Sequence, residues 1–328
     1  MIALVTGGAG FIGSNLVKKL LSEGVKVDIV DDLSSGSTEN LSGFKLREIH
    51  AGMASLDRPV PDDVINFYVG DFTSEAVLER IAAKKYDVVF HLAAVPRVSY
   101  SVEFPTLTTE ANLMKSVALF EVAAKSGTRV VASSSSSVYG GADVMPTPES
   151  EPRDPKSPYA LQKSVMEDFG RLFNKLYGFD VVFLRYFNVF GPRQEADSGY
   201  AAVIPKFIAK MIKGEDVIIY GNGQQKRDFT YVSNVVNANL KLACMDIAAI
   251  SGQVFNIAAS NPVTVLEVFN HLARKLNYNR PPVFQDRRKG DIENSFADIS
   301  KASVSFGFVP ELNLEKGLDL TIDWFKNR

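Results

Sequence analysis

The sequence predicts an α/β protein: a Rossmann-type doubly wound parallel sheet with a smaller mixed α/β substrate lobe. Three observations carry that expectation. Short apolar runs alternate with longer amphipathic segments through the first half, a glycine-rich turn follows the first run, and after about residue 186 the alternation loosens into turns. The runs Ile2–Thr6, Val25–Val30, Asn66–Val69, Val88–Leu92, Arg129–Ser133 and Val181–Arg185 are short, rich in β-formers and bounded by charges or turn residues, the pattern of buried strands. Between them Asn15–Ser22, Ser74–Lys84, Asn112–Lys125 and Ser157–Tyr177 have helical spacing. Parallel neighbours need a crossover, usually a helix, so this alternation implies a parallel sheet covered on both faces. Its ligands belong beyond the carboxyl ends of the strands.

In the second half Gly191-Pro192, Gly221-Asn222-Gly223 and Pro281-Pro282 mark turns, and Asn234–Met245 with Val254–Ile257 resumes a helix and a strand. The expected organisation is a dinucleotide-binding domain over residues 1–185, to which the chain returns around 229–258, and an interleaved substrate lobe over 186–328.

Composition narrows the function classes. With 328 residues, 46% of them hydrophobic, the chain can fill a sizeable core. Its 36 basic and 38 acidic residues give a net charge of −2 without long like-charge runs, which argues against nucleic acid or an anionic membrane as partner and favours small-molecule chemistry. Cys244 is the only cysteine, so neither an internal disulfide nor a thiolate metal cluster can form; no metal is expected, and a reducing cytoplasm fits. The chain begins on an apolar run leading into a glycine turn, without a charged leader, and no apolar stretch approaches the roughly 18 residues of a membrane span. A cytoplasmic location is expected.

The glycine turn points to a dinucleotide. Gly7, Gly10 and Gly13 stand three apart directly after a strand and open a helix, with Phe11 and Ile12 at the helix start. Gly7 allows the tight turn, Gly10 lets main-chain amides approach a pyrophosphate, and Gly13 permits close helix packing, while the helix N-terminus supplies partial positive charge. The second strand ends in Asp31 and Asp32, where an acid can bond the adenosine ribose; two carboxylates repel a 2′-phosphate, so the expected cofactor is NAD rather than NADP. Asp71, followed by Phe72, ends the third strand and can take the adenine amine. Leu92, Ala93 and Ala94 end the fourth, where small side chains let the dinucleotide lie against the backbone. His91 reads as a packed strand residue rather than a catalyst.

Tyr159 and Lys163 lie four apart on a helix and so share a face. Ser157 suits the N-cap and Pro158 the first turn. A phenol with its ordinary pKa near 10 is a poor base at neutral pH, but an ammonium alongside and the positive nicotinamide both favour the phenolate. Ser133, Ser134 and Ser135 end the fifth strand among the groups that face the cofactor, and Ser135 can bond the substrate oxygen that loses or regains a proton.

Beyond these residues the sequence resembles the extended short-chain dehydrogenase/reductase family, in particular its UDP-hexose 4-epimerases. The resemblance covers nearly the whole chain: the glycine turn, Ser133-Ser134-Ser135 with Val138-Tyr139-Gly140, Tyr159 with Lys163, the run Arg185 to Pro192, Arg227-Asp228-Phe229, and Arg288 to Asp298. It implies that Tyr159 takes the C4 hydroxyl proton while NAD takes the C4 hydride, and that the resulting 4-keto sugar turns and is reduced from its other face. It also implies a UDP-sugar partner held by Asn188, Ala202, Val203 and Tyr220, with Arg227 and Arg288 on the diphosphate, Asp291 on the ribose, and a homodimer paired through helices Asn112–Lys125 and Ser157–Tyr177. Relatives that eliminate water carry an Asp-Glu pair where this chain has Ser136-Ser137, and decarboxylating relatives carry a Glu there, so epimerisation is expected.

Ser295 falls where many glucose/galactose epimerases carry a bulky tyrosine, and with Gln194 it favours UDP-GlcNAc and UDP-GalNAc, with UDP-glucose and UDP-galactose as additional substrates. Pro96-Arg97 and Lys289 depart from the pattern of the enzymes for acetylated sugars. A glucose/galactose enzyme, another nucleotide-sugar-modifying short-chain dehydrogenase (a 4-keto-sugar reductase or a dehydratase) and a non-catalytic NAD-binding scaffold are the alternatives.

Overall fold

The structure, a computed structural model, describes residues 1–50, 61, 64–196, 201–287 and 293–327. Its centre is an eight-stranded sheet of β1 (Ile2–Thr6), β2 (Lys26–Asp31), β3 (Lys45–His50), β4 (Val64–Val69), β5 (Val88–His91), β6 (Arg129–Ser135), β7 (Val181–Tyr186) and β8 (Val254–Ile257). The spatial order is β8-β7-β6-β5-β1-β2-β4-β3. Every pairing from β6 across to β3 is parallel. The chain leaves β1 for β2 on one side and returns to β5 on the other, so β1 and β5 flank the switch point where doubly wound sheets bind ligands.

The inner strands are apolar on both faces because helices cover both: Ala3, Leu4 and Val5 of β1, Val88 to Phe90 of β5 and Val181 to Leu184 of β7 are all buried. β3 was not expected, since the segment KLREIH buries only Ile49; it is the edge strand, where charge blunts further pairing. Helix Pro158–Tyr177 begins where the sequence says it should. The Ser157 hydroxyl accepts the Ala160 N–H at 3.2 Å, Pro158 occupies the first turn, and Gly178 closes the end at φ +68°. A Cβ on Gly170 would fall 2.2 Å from Phe183 Cζ, so only glycine lets this helix lie so close on β7. Phe120, Phe179 and Phe183 fill the core beneath it. The expected helix at Asn112 is regular only over Lys115–Ser126; Glu110–Met114 is a π-helical turn.

The chain divides into two compact units. One comprises Met1–Ser134, Ser157–Leu184 and Val236–Phe255; the other comprises Ser135–Lys156, Arg185–Val235 and Asn256–Arg328. The chain passes from one to the other five times: within β6, β7 and β8, between Lys156 and Ser157, and between Val235 and Val236. The second unit has a small core of Val138, Tyr139, Phe187, Ala258 and Ala297. It also holds helix Val265–Leu276, whose start is a reciprocal capping box of Thr264 and Glu267. Among the described residues no helix is long and apolar enough to cross a membrane.

Candidate active site

In the first unit, helix Phe11–Ser22 starts at Gly10 without any side-chain cap, so the amides of its first turn are left to a ligand. Gly7 adopts φ +72°, and a Cβ there would press within 2.8 Å of Ala93 N, so the turn after β1 lies directly against the end of β5. Asp31 ends β2 beside this turn. Its carboxylate, 7% exposed, accepts the Ala9 N–H and the Leu33 N–H, each at 2.9 Å. Burial raises its pKa, these N–H groups hold it down, and Asp32 pushes it up. Asp32 is exposed and spends one oxygen on the Ser34 amide and hydroxyl.

Asp71 accepts from the Thr73 amide and hydroxyl and pairs with Lys115 at 2.7 Å. Burial acts to raise its pKa, but the bonds from Lys115 and Thr73 outweigh it and leave the net value lowered. The Phe72 ring packs edge-on against His91 at 5.0 Å inside the core, which leaves its main chain for a ligand. Leu92 and Ala93 donate their N–H groups to Thr6, and Ala94 follows them into the loop beyond β5. An uncapped helix start, a glycine turn against β5 and a fixed carboxylate at the end of β2 fit a dinucleotide. Phe11, Ile12 and Gly13 would hold its pyrophosphate and Asp31 its ribose.

Tyr159 and Lys163 are both buried on helix Pro158–Tyr177. Lys163 Nζ donates to the Ser133 carbonyl at 2.8 Å and to its hydroxyl at 3.3 Å, which seats the ammonium at the end of β6. Burial lowers its pKa to about 8, with the Glu167 carboxylate opposing the fall. The Ser101 hydroxyl accepts the Tyr159 N–H at 3.1 Å. His91 is fully buried between Thr6 and Ser116, bonded through both ring nitrogens, and burial lowers its pKa to about 3, with the charge on Lys163 adding to it. It is the packed strand residue the sequence suggested.

Two buried residues here went unread in the sequence. Asn112, in the π-helical turn, brackets Val95 by taking its N–H at 2.7 Å and donating to its carbonyl at 3.2 Å, and it also donates to Gln162 on the helix of Tyr159. Glu167 accepts from the Ser134 hydroxyl at 2.6 Å. Polarity at otherwise apolar helix positions was their only sequence signal.

In the second unit Ser135 caps a 3₁₀ turn, Ser136–Tyr139; its hydroxyl oxygen accepts from the Ser137 amide at 3.2 Å and hydroxyl at 2.8 Å. Asn188, Ala202, Val203, Tyr220 and Arg227 come together around a cavity of about 300 Å³, joined by Phe229 of the same motif as Arg227 and by Phe207 and Gln225, which the sequence had not singled out. Asn188 takes φ +36° and donates to the Asp228 carbonyl at 3.1 Å. Arg227 donates to the Glu293 carbonyl at 3.0 Å.

Asp228 was read only as part of a motif, but its buried carboxylate gathers the N–H groups of Ala259, Ser260, Asn261 and Ala297 and so knits the strands beside Arg227. Ser295 pairs with Arg227 in a short parallel ladder. Gln194 donates to the Val189 carbonyl, and its Oε1 is buried without a partner among the described residues. Arg288, Lys289 and Asp291 lie outside the described residues. Among those described, no group of three or more His, Cys, Asp or Glu side chains is placed to hold a metal.

The pattern of the NAD dependent epimerase/dehydratase family matches residues 3–258. The UDP-glucose 4-epimerase of Mycolicibacterium smegmatis is 34% identical over 100% of this chain and 99% of its own. Two solved structures resemble it along their lengths. The UDP-glucose 4-epimerase of Thermotoga maritima with UDP-glucose has a TM-score of 0.87 and 37% identity, covering 100% of this chain and 99% of that one. The UDP-N-acetylglucosamine 4-epimerase of Methanobrevibacter ruminantium in complex with UDP-N-acetylmuramic acid has a TM-score of 0.88 and 40% identity, covering 99% and 98%. The glycine turn, the carboxylate at the end of β2 and the Tyr159–Lys163 pair all fall inside the matched segment, and the chain belongs to the NAD dependent epimerase/dehydratase family, with NAD as its cofactor.

Proposed function

We propose that the protein is a UDP-sugar 4-epimerase that interconverts UDP-GlcNAc with UDP-GalNAc, and also UDP-glucose with UDP-galactose. The observation that carries this is Lys163, buried and fastened to Ser133 one turn from Tyr159. A cation held there stabilises the phenolate of Tyr159, and the phenolate is the base that a C4 hydroxyl needs. Bound NAD supplies a reversible two-electron acceptor for C4.

Tyr159 takes the hydroxyl proton as the 4-keto sugar forms and returns it after the sugar has turned its other face. Ser135 bonds the sugar oxygen; Asn188, Ala202, Val203, Tyr220, Arg227, Arg288 and Asp291 hold UDP. Ser136 and Ser137 stand where an eliminating or decarboxylating enzyme needs carboxyl groups, so the reaction ends at inversion.

Two features favour an acetamido group at C2. Ser295 is small, and Gln194 Oε1, without a partner among the described residues, is an acceptor for an amide N–H. The helix of Tyr159 also exposes Leu161, Leu172, Leu176 and Tyr177, an apolar face that suits a second copy of the chain in a homodimer. NMR of purified protein incubated with UDP-GlcNAc and, separately, UDP-glucose, without added NAD, tests the reading. Inversion of both supports it in full; inversion of UDP-glucose alone removes the acetamido assignment; inversion of neither, even with NAD supplied, removes epimerase activity.

A further inference from the structure

Glu167 has no place in the chemistry above, yet its side chain is fully buried, which is costly for a carboxylate unless a partner compensates. Two successive residues of β6 face it and its neighbour. The Ser133 carbonyl takes the Lys163 ammonium at 2.8 Å, while the Ser134 hydroxyl donates to Glu167 Oε1 at 2.6 Å. Lys163 and Glu167 are four apart on the helix and share its inner face, so the end of β6 holds one cation and one anion side by side. On the outer side Arg171 lies 3.9 Å from Glu167 Oε2.

We infer that Glu167 is a positioning residue that, held by Ser134, keeps Lys163 charged and thereby sets the pH range over which Tyr159 can work. Burial brings the Lys163 ammonium close enough to neutrality for a neighbouring charge to matter, and Glu167 is the group that opposes the loss of its proton. The other titratable neighbours do not substitute for it. His91 on β5 is neutral above about pH 5, Tyr159 carries a charge that could hold the ammonium only once it is the phenolate, and Arg171 is a cation that bonds Asp168 at 3.0 Å and lies 3.9 Å from the far oxygen of Glu167. For its kinetic consequence the inference rests on the epimerase reading; the titration of Lys163 does not.

The test follows the Lys163 side chain directly in protein labelled with [6-¹³C]lysine, its resonance identified by its loss in Lys163→Arg. In Glu167→Gln, which keeps an acceptor for Ser134, the midpoint is expected to fall by about 1 pH unit or more. In Glu167→Asp, which withdraws the charge by one methylene, it falls by less. The alkaline limb of kcat/KM for UDP-GlcNAc should move down with it, a shift that lost packing alone does not produce. An unmoved midpoint in whichever variant folds overturns the inference. Wild-type protein that turns over neither sugar overturns the epimerase reading instead, and the NMR midpoint still decides the role of Glu167.

Discussion

Gly10 and Gly13 belong to one turn but answer to different constraints, and alanine separates them. A Cβ on Gly13 would lie 2.1 Å from Gly7 O and 2.9 Å from Gly7 C and Gly8 Cα, all main-chain atoms. Reaching the ordinary contact of 3.4 Å displaces the helix start by roughly 1.3 Å from the turn. Overpacking of this kind costs about 3 kcal/mol, offset by about 1 kcal/mol from alanine's helix propensity, for a net loss near 2 kcal/mol. Gly10 is the N-cap at φ −74°, ψ 177°, a conformation alanine adopts, and its added Cβ would meet only Gly7 O at 3.1 Å.

Gly10→Ala should therefore change stability by less than about 1 kcal/mol. Its methyl would nonetheless stand where the pyrophosphate approaches and weaken NAD binding about tenfold or more, or about 1.4 kcal/mol. Urea unfolding measures the first quantity and calorimetric titration of cofactor-stripped protein with NAD the second. Gly10→Ala that binds NAD like wild type, or that unfolds as readily as Gly13→Ala, refutes the assignment of Gly10 to the ligand and Gly13 to packing.

Three further outcomes are expected. Gly140→Ala places a Cβ 1.7 Å from the Asp154 carbonyl oxygen at φ +64°, so it should lower stability by about 3 kcal/mol or more in urea unfolding; a loss under about 1 kcal/mol contradicts this. The pKa of His91 in the folded chain, about 3, lies below the ordinary 6.5, so the folded state binds fewer protons, and its contribution is present above pH 6.5 and lost as pH falls toward 3. Between pH 7 and pH 5 this removes about 2 kcal/mol from wild type and not from His91→Asn; urea unfolding at both pH values that shows equal losses contradicts it. Ser295→Tyr, which fills the space proposed for the acetamido group, should lower kcat/KM for UDP-GlcNAc at least tenfold while changing that for UDP-glucose by less than about threefold. Equal losses on both sugars would show that Ser295 does not sort them.

The fold was legible because its signals were local. The strands from β1 to β8, apart from β3, and the helix of Tyr159 announced themselves by apolar runs, caps and turn glycines, and the family pattern and neighbouring structures agree with that Rossmann-type reading. β3 stayed hidden because an edge strand buries one residue and looks like a charged loop. At the candidate site, sequence spacing alone put Tyr159 and Lys163 on one helix, but it gave no hint that Lys163 would be seated on Ser133 or that Glu167, one turn on, would be bonded by Ser134. Asn112 was missed, and Asp228 was read only as part of a motif, for the same reason: each acts on main chain distant in sequence, and only the folded register reveals the partner. Phe72 shows the converse, a motif position whose side chain belongs to the core.

The central claim is that C4 is oxidised and reduced again within one bound complex, with Tyr159 handling the proton. Incubating purified protein with UDP-GlcNAc and UDP-glucose deuterated at C4, in ordinary water and without added NAD, tests it most directly by NMR and mass spectrometry. The expected result is product inverted at C4 with the deuterium still on that carbon, and no such product from Tyr159→Phe. Inverted product in which solvent hydrogen has replaced the deuterium, or full turnover by Tyr159→Phe, contradicts it.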